Sequence, residues 1–172
     1  TAVGRLALRS NTIGFDNVAI GESALLENIA GIGNIAIGKE ALRESVAGSY
    51  NSILGNFAIL NAEASYISAL GRDAGRFSSA GNLITASESI FIGYNSKSLN
   101  TTSTNEIVIG ANAVGGGDNT ITIGHTTITS TRLRGAVKGG SFVKDGGTNV
   151  QFLMADGSVS TTPSLTGFGY NL

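Results

Sequence analysis

The chain has 172 residues, with 25 Gly, one Pro, no Cys, no Trp and a formal net charge of −1; 41% of it is hydrophobic and only 13% charged. A nearly neutral chain with scattered Lys and Arg has no electrostatic footprint for a phosphate backbone, so nucleic-acid binding is not expected. The absence of Cys removes disulfide and thiolate chemistry, the apolar content argues against disorder, and apolar runs of only a few residues fall short of a membrane span, so no membrane insertion is expected.

The chain opens at Thr1 rather than Met, and Ala2-Val3-Gly4 already matches the end of a repeated phrase, so the natural N-terminus is expected upstream. Full copies follow at Asn17-Val18-Ala19-Ile20-Gly21, Asn34-Ile35-Ala36-Ile37-Gly38 and Asn51-Ser52-Ile53-Leu54-Gly55. Alignment on the phrase glycine extends the series to Gly71, Gly93, Gly110 and Gly124, at spacings of 17, 17, 17, 16, 22, 17 and 14 from Gly4 onward. Self-similarity at a fixed short period marks a solenoid, in which one unit cannot bury its apolar face alone.

Each phrase alternates with period two, as a short strand does. The column just before the glycine (Ile20, Ile37 and their equivalents) is aliphatic throughout, the one two residues further back (Val18, Ile35 and their equivalents) is aliphatic in five of seven positions, with Ser52 and Ser68 the exceptions, and the column between them begins Ala2, Ala19, Ala36. The aliphatic columns are expected to point inward and the small one to face a neighbouring subunit. Four residues after each glycine stand Leu8, Leu25, Leu42 and Ile59, preceded by Ala. These stretches are too short for a confident helix, and Gly14, Gly31 and Gly48 mark a second corner. The fold class is therefore all-β: a parallel β-roll or β-solenoid of about eight coils, about 40 Å long at the usual strand spacing. Stacking predicts that Asn17, Asn34 and Asn51 bond to one another and to turn amides, and that Glu22 and Lys39 meet as opposite charges.

The 22-residue interval between Gly71 and Gly93 breaks the period with a turn-like stretch, either a bulged coil or a protruding loop over residues 72–92 that touches a ligand. From Asn105, alternating Thr and Ile in Asn119-Thr120-Ile121-Thr122-Ile123-Gly124 give high strand propensity. The period is lost after Ile128. Asp145-Gly146 and Asp156-Gly157 are tight-turn signals between strand-like runs, so the chain divides into a shaft over 1–130 and a small C-terminal β cap or tip over 131–172.

No residue set carries catalysis, a cofactor or a metal. His125 is the sole histidine and has no second ligand type spaced to help it; in a trimer, three copies meeting on the axis would be needed to hold an ion. Gly115-Gly116-Gly117-Asp118 lacks the strand–loop–helix context and the Lys of a phosphate loop. Asp145 and Asp156 are explained as turn residues. A sugar-cleaving groove of paired carboxylates is disfavoured by the lack of Trp, so the chain is not expected to be an enzyme.

The phrase Asn-x-Ala-Ile-Gly followed by Ala-Leu resembles the head repeats of trimeric autotransporter adhesins of the YadA type, over about residues 1–128. It is strongest at Asn17–Gly21 and Asn34–Gly38 and degenerate at Ser68–Gly71 and Ile90–Gly93. The resemblance implies a left-handed parallel β-roll that trimerises, with one turn enlarged to reach 17 residues. Gly146-Gly147-Thr148-Asn149-Val150-Gln151-Phe152-Leu153-Met154-Ala155-Asp156-Gly157-Ser158 is similar to a segment of phage tail and head fibre proteins, as is Asn119–Gly124 followed by Thr131-Arg132-Leu133-Arg134-Gly135. These resemblances imply a homotrimeric structural fibre of a bacteriophage virion, hence extracellular and involved in host attachment. Its implied partners are other fibre, baseplate or capsid proteins and a host surface glycan. The alternative is a head fragment of a bacterial trimeric adhesin that binds host matrix.

Overall fold

A computed structural model describes residues 1–60, 63–82, 85–129, 152–153 and 159–160. Its Cα framework divides into Thr1–Thr129 and Ser130–Leu172. The strands of the first unit are β1 (Ala2–Val3), β2 (Val18–Ile20), β3 (Ile35–Ile37), β4 (Ser52–Leu54), β5 (Glu63–Ser65), β6 (Ser68–Leu70), β7 (Phe77–Ser78), β8 (Gly81–Asn82), β9 (Thr85–Ser87), β10 (Ile90–Ile92), β11 (Thr102–Thr104), β12 (Ile107–Ile109) and β13 (Ile121–Ile123). No helix occurs among the described residues.

The phrase strands form one eight-stranded sheet in the order β1-β2-β3-β4-β6-β10-β12-β13. Every pairing is parallel and joins the residues that sequence alignment places in one column, from Ala2 opposite Ala19 to Ile109 opposite Ile123. Eight strands enclose about seven turns rather than eight complete coils. At the usual interstrand spacing they extend over about 34 Å. A second parallel sheet, β11-β9-β5, lines the return path of the later coils. The long interval is a local excursion: β7 and β8 form an antiparallel hairpin, and β9 then re-enters the coil by pairing with β5.

Stacking at one strand spacing dictates the corner residue. Gly21 has φ +133, and a Cβ there would lie 2.5 Å from the carbonyl oxygen of Gly38 in the next coil. Both the backbone angle and the closeness of the neighbouring chain require glycine. Beside this column, asparagines ladder through the interior. The Asn17 side-chain oxygen accepts from the backbone N–H of Asn34 at 2.9 Å, and Asn34 Nδ2 donates to Gly48 O at 2.9 Å. Asn51 repeats the pattern on Asn34 and on Ala64 O, and Ile67 N closes the series on Asn51 Oδ1 at 3.0 Å. Asn34 and Asn51 are fully buried, so each amide satisfies backbone groups that the turns leave unpaired.

The core corrects the expected orientation of the strands. Ala19, Ala36, Ile53, Ala69, Phe91 and Val108 of the middle column are buried, whereas Val3, Ile20, Ile35, Leu54 and Leu70 of the flanking columns are exposed. The reason is volume. Leu25, Leu42 and Ile59 project into the interior from the opposite turn, with Ala24, Ala41 and Ala58 beside them, and all are buried. Little more than a methyl group fits between that turn and the sheet in the early coils. Where the turn column is Gly75, the end of the Ile59 side chain and the ring of Phe91 take the space: a Cβ on Gly75 would collide with Ile59 Cδ1 and meet Phe91 Cδ2 at 2.8 Å.

The shaft boundary expected at 130 and the body of the cap over 131–172 fall largely outside the described residues. Within that stretch β14 (Phe152–Leu153) pairs antiparallel with β15 (Val159–Ser160).

The exchange of volume between columns is testable. Phe91→Ala is expected to cost about 3–5 kcal/mol in a urea unfolding curve. Gly75→Leu alone also destabilises, because the ring fills its site. Together they should couple favourably by more than about 1 kcal/mol; strict additivity would show that the two columns do not share one space.

Candidate functional site

The outward face of the long sheet is the most extensive feature exposed to a partner. Period two places both flanking residues of each phrase on it, and nearly all are aliphatic. They form a continuous apolar stripe from Val3 through Ile20, Ile35 and Leu54 to Ile121 and Ile123, the last two more than 60% exposed. Among β2, β3, β10 and β12, the remaining flanking residues, such as Ile37, Ile90 and Ile109, are half-buried. One notch interrupts the stripe. Ser52 and Ser68 are direct partners on β4 and β6, and the volume lost there opens a shallow groove of about 390 Å3 bordered by Ile35, Leu54, Leu70 and Ile92.

Two edges flank this face, and their chemistry differs. On the side leading into the strands, the residue five before the glycine takes positive φ in Asp16, Tyr50, Tyr66, Glu88, Asn105 and Asn119. Tyr50 and Tyr66 stack with ring centroids 5.4 Å apart. Asn105 Nδ2 donates to Asn119 Oδ1 at 3.1 Å. Asp16, Glu88 and Asp118 are the charged residues that lead into these strands, while Glu63 lies on β5 of the second sheet, where its carboxylate accepts from Val46 N at 2.8 Å and Ala47 N at 2.9 Å.

Every Lys and Arg of residues 1–129 falls within five residues after a phrase glycine: Arg5, Lys39 and Arg72 stand beside the trailing side of the strands, whereas Lys97, Arg9, Arg43 and Arg76 lie further on, along the turn that carries Leu25 and Leu42. Several are tied to carboxylates. Glu22 bridges Arg5 and Lys39 across three rungs, with Lys39 Nζ 3.1 Å away. The Arg5 guanidinium and then the Lys39 ammonium hold the Glu22 carboxyl below its ordinary value. That stabilisation is present above the ordinary glutamate range and is lost as pH falls through the lowered value; at this exposure it is weak. Arg76 donates to Asp73 at 2.8 Å, and its guanidinium lies 5.1 Å from the Phe57 ring centroid and 4.7 Å from that of Phe77. The 72–92 segment thus begins with a cation–π cluster that anchors β7 to the shaft.

Glu106 was not singled out by its sequence pattern. It occupies the column of Asn17, Asn34 and Asn51 and is fully buried. Its Oε2 accepts from Ser98 Oγ at 2.7 Å and Ser103 Oγ at 2.9 Å, and Oε1 accepts from Gly117 N at 3.0 Å. The signal was positional: a carboxylate in the column that begins with the buried amides Asn17, Asn34 and Asn51. Gly115-Gly116-Gly117 is explained by the same group. A Cβ on Gly115 would collide with Glu106 Oε1, so this loop packs closely on a carboxylate, which is the reverse of a phosphate cradle.

His125 Nδ1 lies 3.0 Å from Thr127 Oγ1 and receives the Thr127 N–H, closing a local turn. No group of three or more metal-ligating side chains occurs among the described residues, and no helix among them is long and apolar enough to cross a membrane. Asp145, Asp156 and the fibre-like segment Gly146–Ser158 lie outside the described residues, apart from the short strands β14 and β15. No family model, curated protein or solved structure matches the chain.

Glu106 acts as a hydrogen-bond acceptor for three donors. Glu106→Leu should therefore destabilise by about 3–5 kcal/mol, since it strands three buried donors. Glu106→Gln, whose carbonyl retains the Gly117 contact while the serine hydroxyls rotate, should cost less than half as much. Equal losses in chemical denaturation would mean that the charge itself is required.

Proposed function

We propose that the chain is a rigid structural segment of a bacteriophage virion fibre, a β-solenoid shaft that assembles as a homotrimer and contributes to host attachment. The observation that carries this reading is the apolar stripe on the outward face of the long sheet. Monomeric soluble proteins rarely expose a contiguous apolar surface of more than a few hundred Å2, and this one repeats with each coil. Burying it at about 25 cal/mol per Å2 is a large driving force for association. A repeating surface finds its best complement in another that repeats at the same interval, and a second copy of the chain supplies one. Threefold closure, a virion setting and a glycan or fibre-protein partner rest on the resemblance of Asn17–Gly38 and of the C-terminal segment to fibre and adhesin repeats.

The shaft's mechanical role follows from its bonding. Each coil is hydrogen-bonded to the next along the sheet and across the turns, and the early coils also through the asparagine ladder, so bending the rod strains many short contacts at once. A structure of this kind holds a tip away from its base without chemistry of its own.

Sedimentation equilibrium should return three times the chain mass of 17.4 kDa. Ile35→Lys with Leu54→Lys, both on exposed positions of the stripe, should release monomers of unchanged β content by circular dichroism. A wild-type monomer at micromolar concentration would rule the assembly out.

A further inference from the structure

Each rung of the outward face presents two side chains about 7 Å apart, one three residues before the phrase glycine and one just before it. From β2 to β13 these pairs are Val or Ile with Ile, except on the adjacent strands β4 and β6. There they are Ser52 with Leu54 and Ser68 with Leu70. Both departures thus fall on the same two rungs. The upstream column becomes short and opens the groove of about 390 Å3. In the downstream column a β-branched Ile gives way to a Leu branched one carbon later, which reaches further from the backbone. Leu54 and Leu70 are half exposed beside that groove.

A face with one shortened and one lengthened column complements a copy of itself in one orientation only. When copies associate about an axis parallel to the rod, their strands run head to tail around it. The downstream column of one copy then meets the upstream column of the next at equal height, and each leucine enters the space that a serine leaves. Antiparallel pairing, about an axis along the strands, sets each column against itself. Leucine then abuts leucine, and serine faces serine across a void. Register is decided in the same way. A slip of one rung forfeits only one of eight rungs of apolar contact, so a uniform stripe would resist it weakly. Here the same slip drives Leu70 onto Ile90, or Leu54 onto Ile35. Branching and polar breaks fix register in this manner wherever an apolar seam repeats. Charge does not make the choice: Asp16 of one copy would stand level with Glu22 of the next, which Arg5 and Lys39 already balance. Ser52 and Ser68 are direct partners, so their hydroxyls can bond to each other beneath the leucines.

We propose that Leu54 and Leu70 of one copy seat in the groove over Ser52 and Ser68 of the next, so that shape at two rungs fixes the direction and the register of the assembly. The rest of the stripe supplies the attraction. This inference rests on the homo-oligomeric reading and adds which residues meet and in which orientation.

Filling the groove separates this contact from a merely adhesive face. Ser52→Ile with Ser68→Ile adds apolar area and would tighten an undirected association. If the groove receives leucines, the pair should instead weaken self-association at least about tenfold in sedimentation equilibrium, at unchanged β content by circular dichroism. Adding Leu54→Ala and Leu70→Ala to the same chain should restore at least half of that loss on a logarithmic scale. The chain lacks Cys, so disulfide formation reads the contact directly. Ser52→Cys and Leu54→Cys, made separately, co-refolded and oxidised with diamide, should form covalent dimers at least about tenfold faster than either variant alone. Ser52→Cys mixed with Ser68→Cys, the antiparallel combination, should not exceed that background. Tightening, a smaller loss, a smaller recovery, or faster cross-linking between positions 52 and 68 than between 52 and 54 overturns the seating of the leucines while leaving the homo-oligomer intact. A monomeric wild-type chain overturns both readings.

Discussion

The shaft depends on one constraint: each residue stacks on its counterpart one strand spacing away, so a column of the fold must tolerate its own repetition at about 4.8 Å. Few side chains do. Glycine satisfies it at the corner because nothing projects toward the carbonyl of the next coil. Asparagine satisfies it in the interior because one amide both donates and accepts, so Asn34 receives from Asn51 and gives to Asn17 and Gly48 without leaving an orphan. Alanine and leucine satisfy it by interlocking across the lumen. The charged column Arg5, Glu22 and Lys39 does so by alternating sign.

Because the constraint is local and periodic, much of the fold was legible in the sequence. The phrase glycines marked the coils, and every pairing of the long sheet joins residues of one aligned column, even across the interval from Leu70 to Ile92. The asparagine ladder and the Glu22–Lys39 contact also follow from stacking alone. The sidedness of the strands does not. Both faces are apolar, so alternation distinguishes them without saying which is inside. Bulk pointed the wrong way, because Ile35 and Ile37 are larger than Ala36 and large apolar residues are usually buried. The deciding information lay across the lumen, in the leucines of the opposite turn. The appearance of Phe91 near Gly75, one large where the column is small and the other small where it is large, was the trace of that contact.

Departures from the repeat show how the interior is re-satisfied when a column changes. At Ile67 the ladder receives its last N–H and no amide continues it. Two rungs on, Glu106 occupies the column and recruits Ser98, Ser103 and the Gly117 N–H, while Ser89 Oγ accepts from Glu106 N. A linear ladder thereby becomes a cluster, and the 14-residue coil is drawn tightly around it. Such a cluster was not predictable from spacing, since its members come from three different turns. The same buried donors make the later coils sensitive to a single residue, whereas the early ones spread the task over many.

The inverted strands also change where association has to be sought. An inward aliphatic pair would have left alanine as the outer face, a smooth surface with little to bury. With Ala19 and Ala36 inside, the outer face carries Ile, Leu and Val, and its attraction is strong but undirected, because the hydrophobic effect has no preferred orientation. The serine notch at Ser52 and Ser68 shows how freely this face can change: two rungs lose apolar area in its middle, while the rungs on either side keep it. The outer columns of the repeat can thus vary without disturbing the interlocked interior.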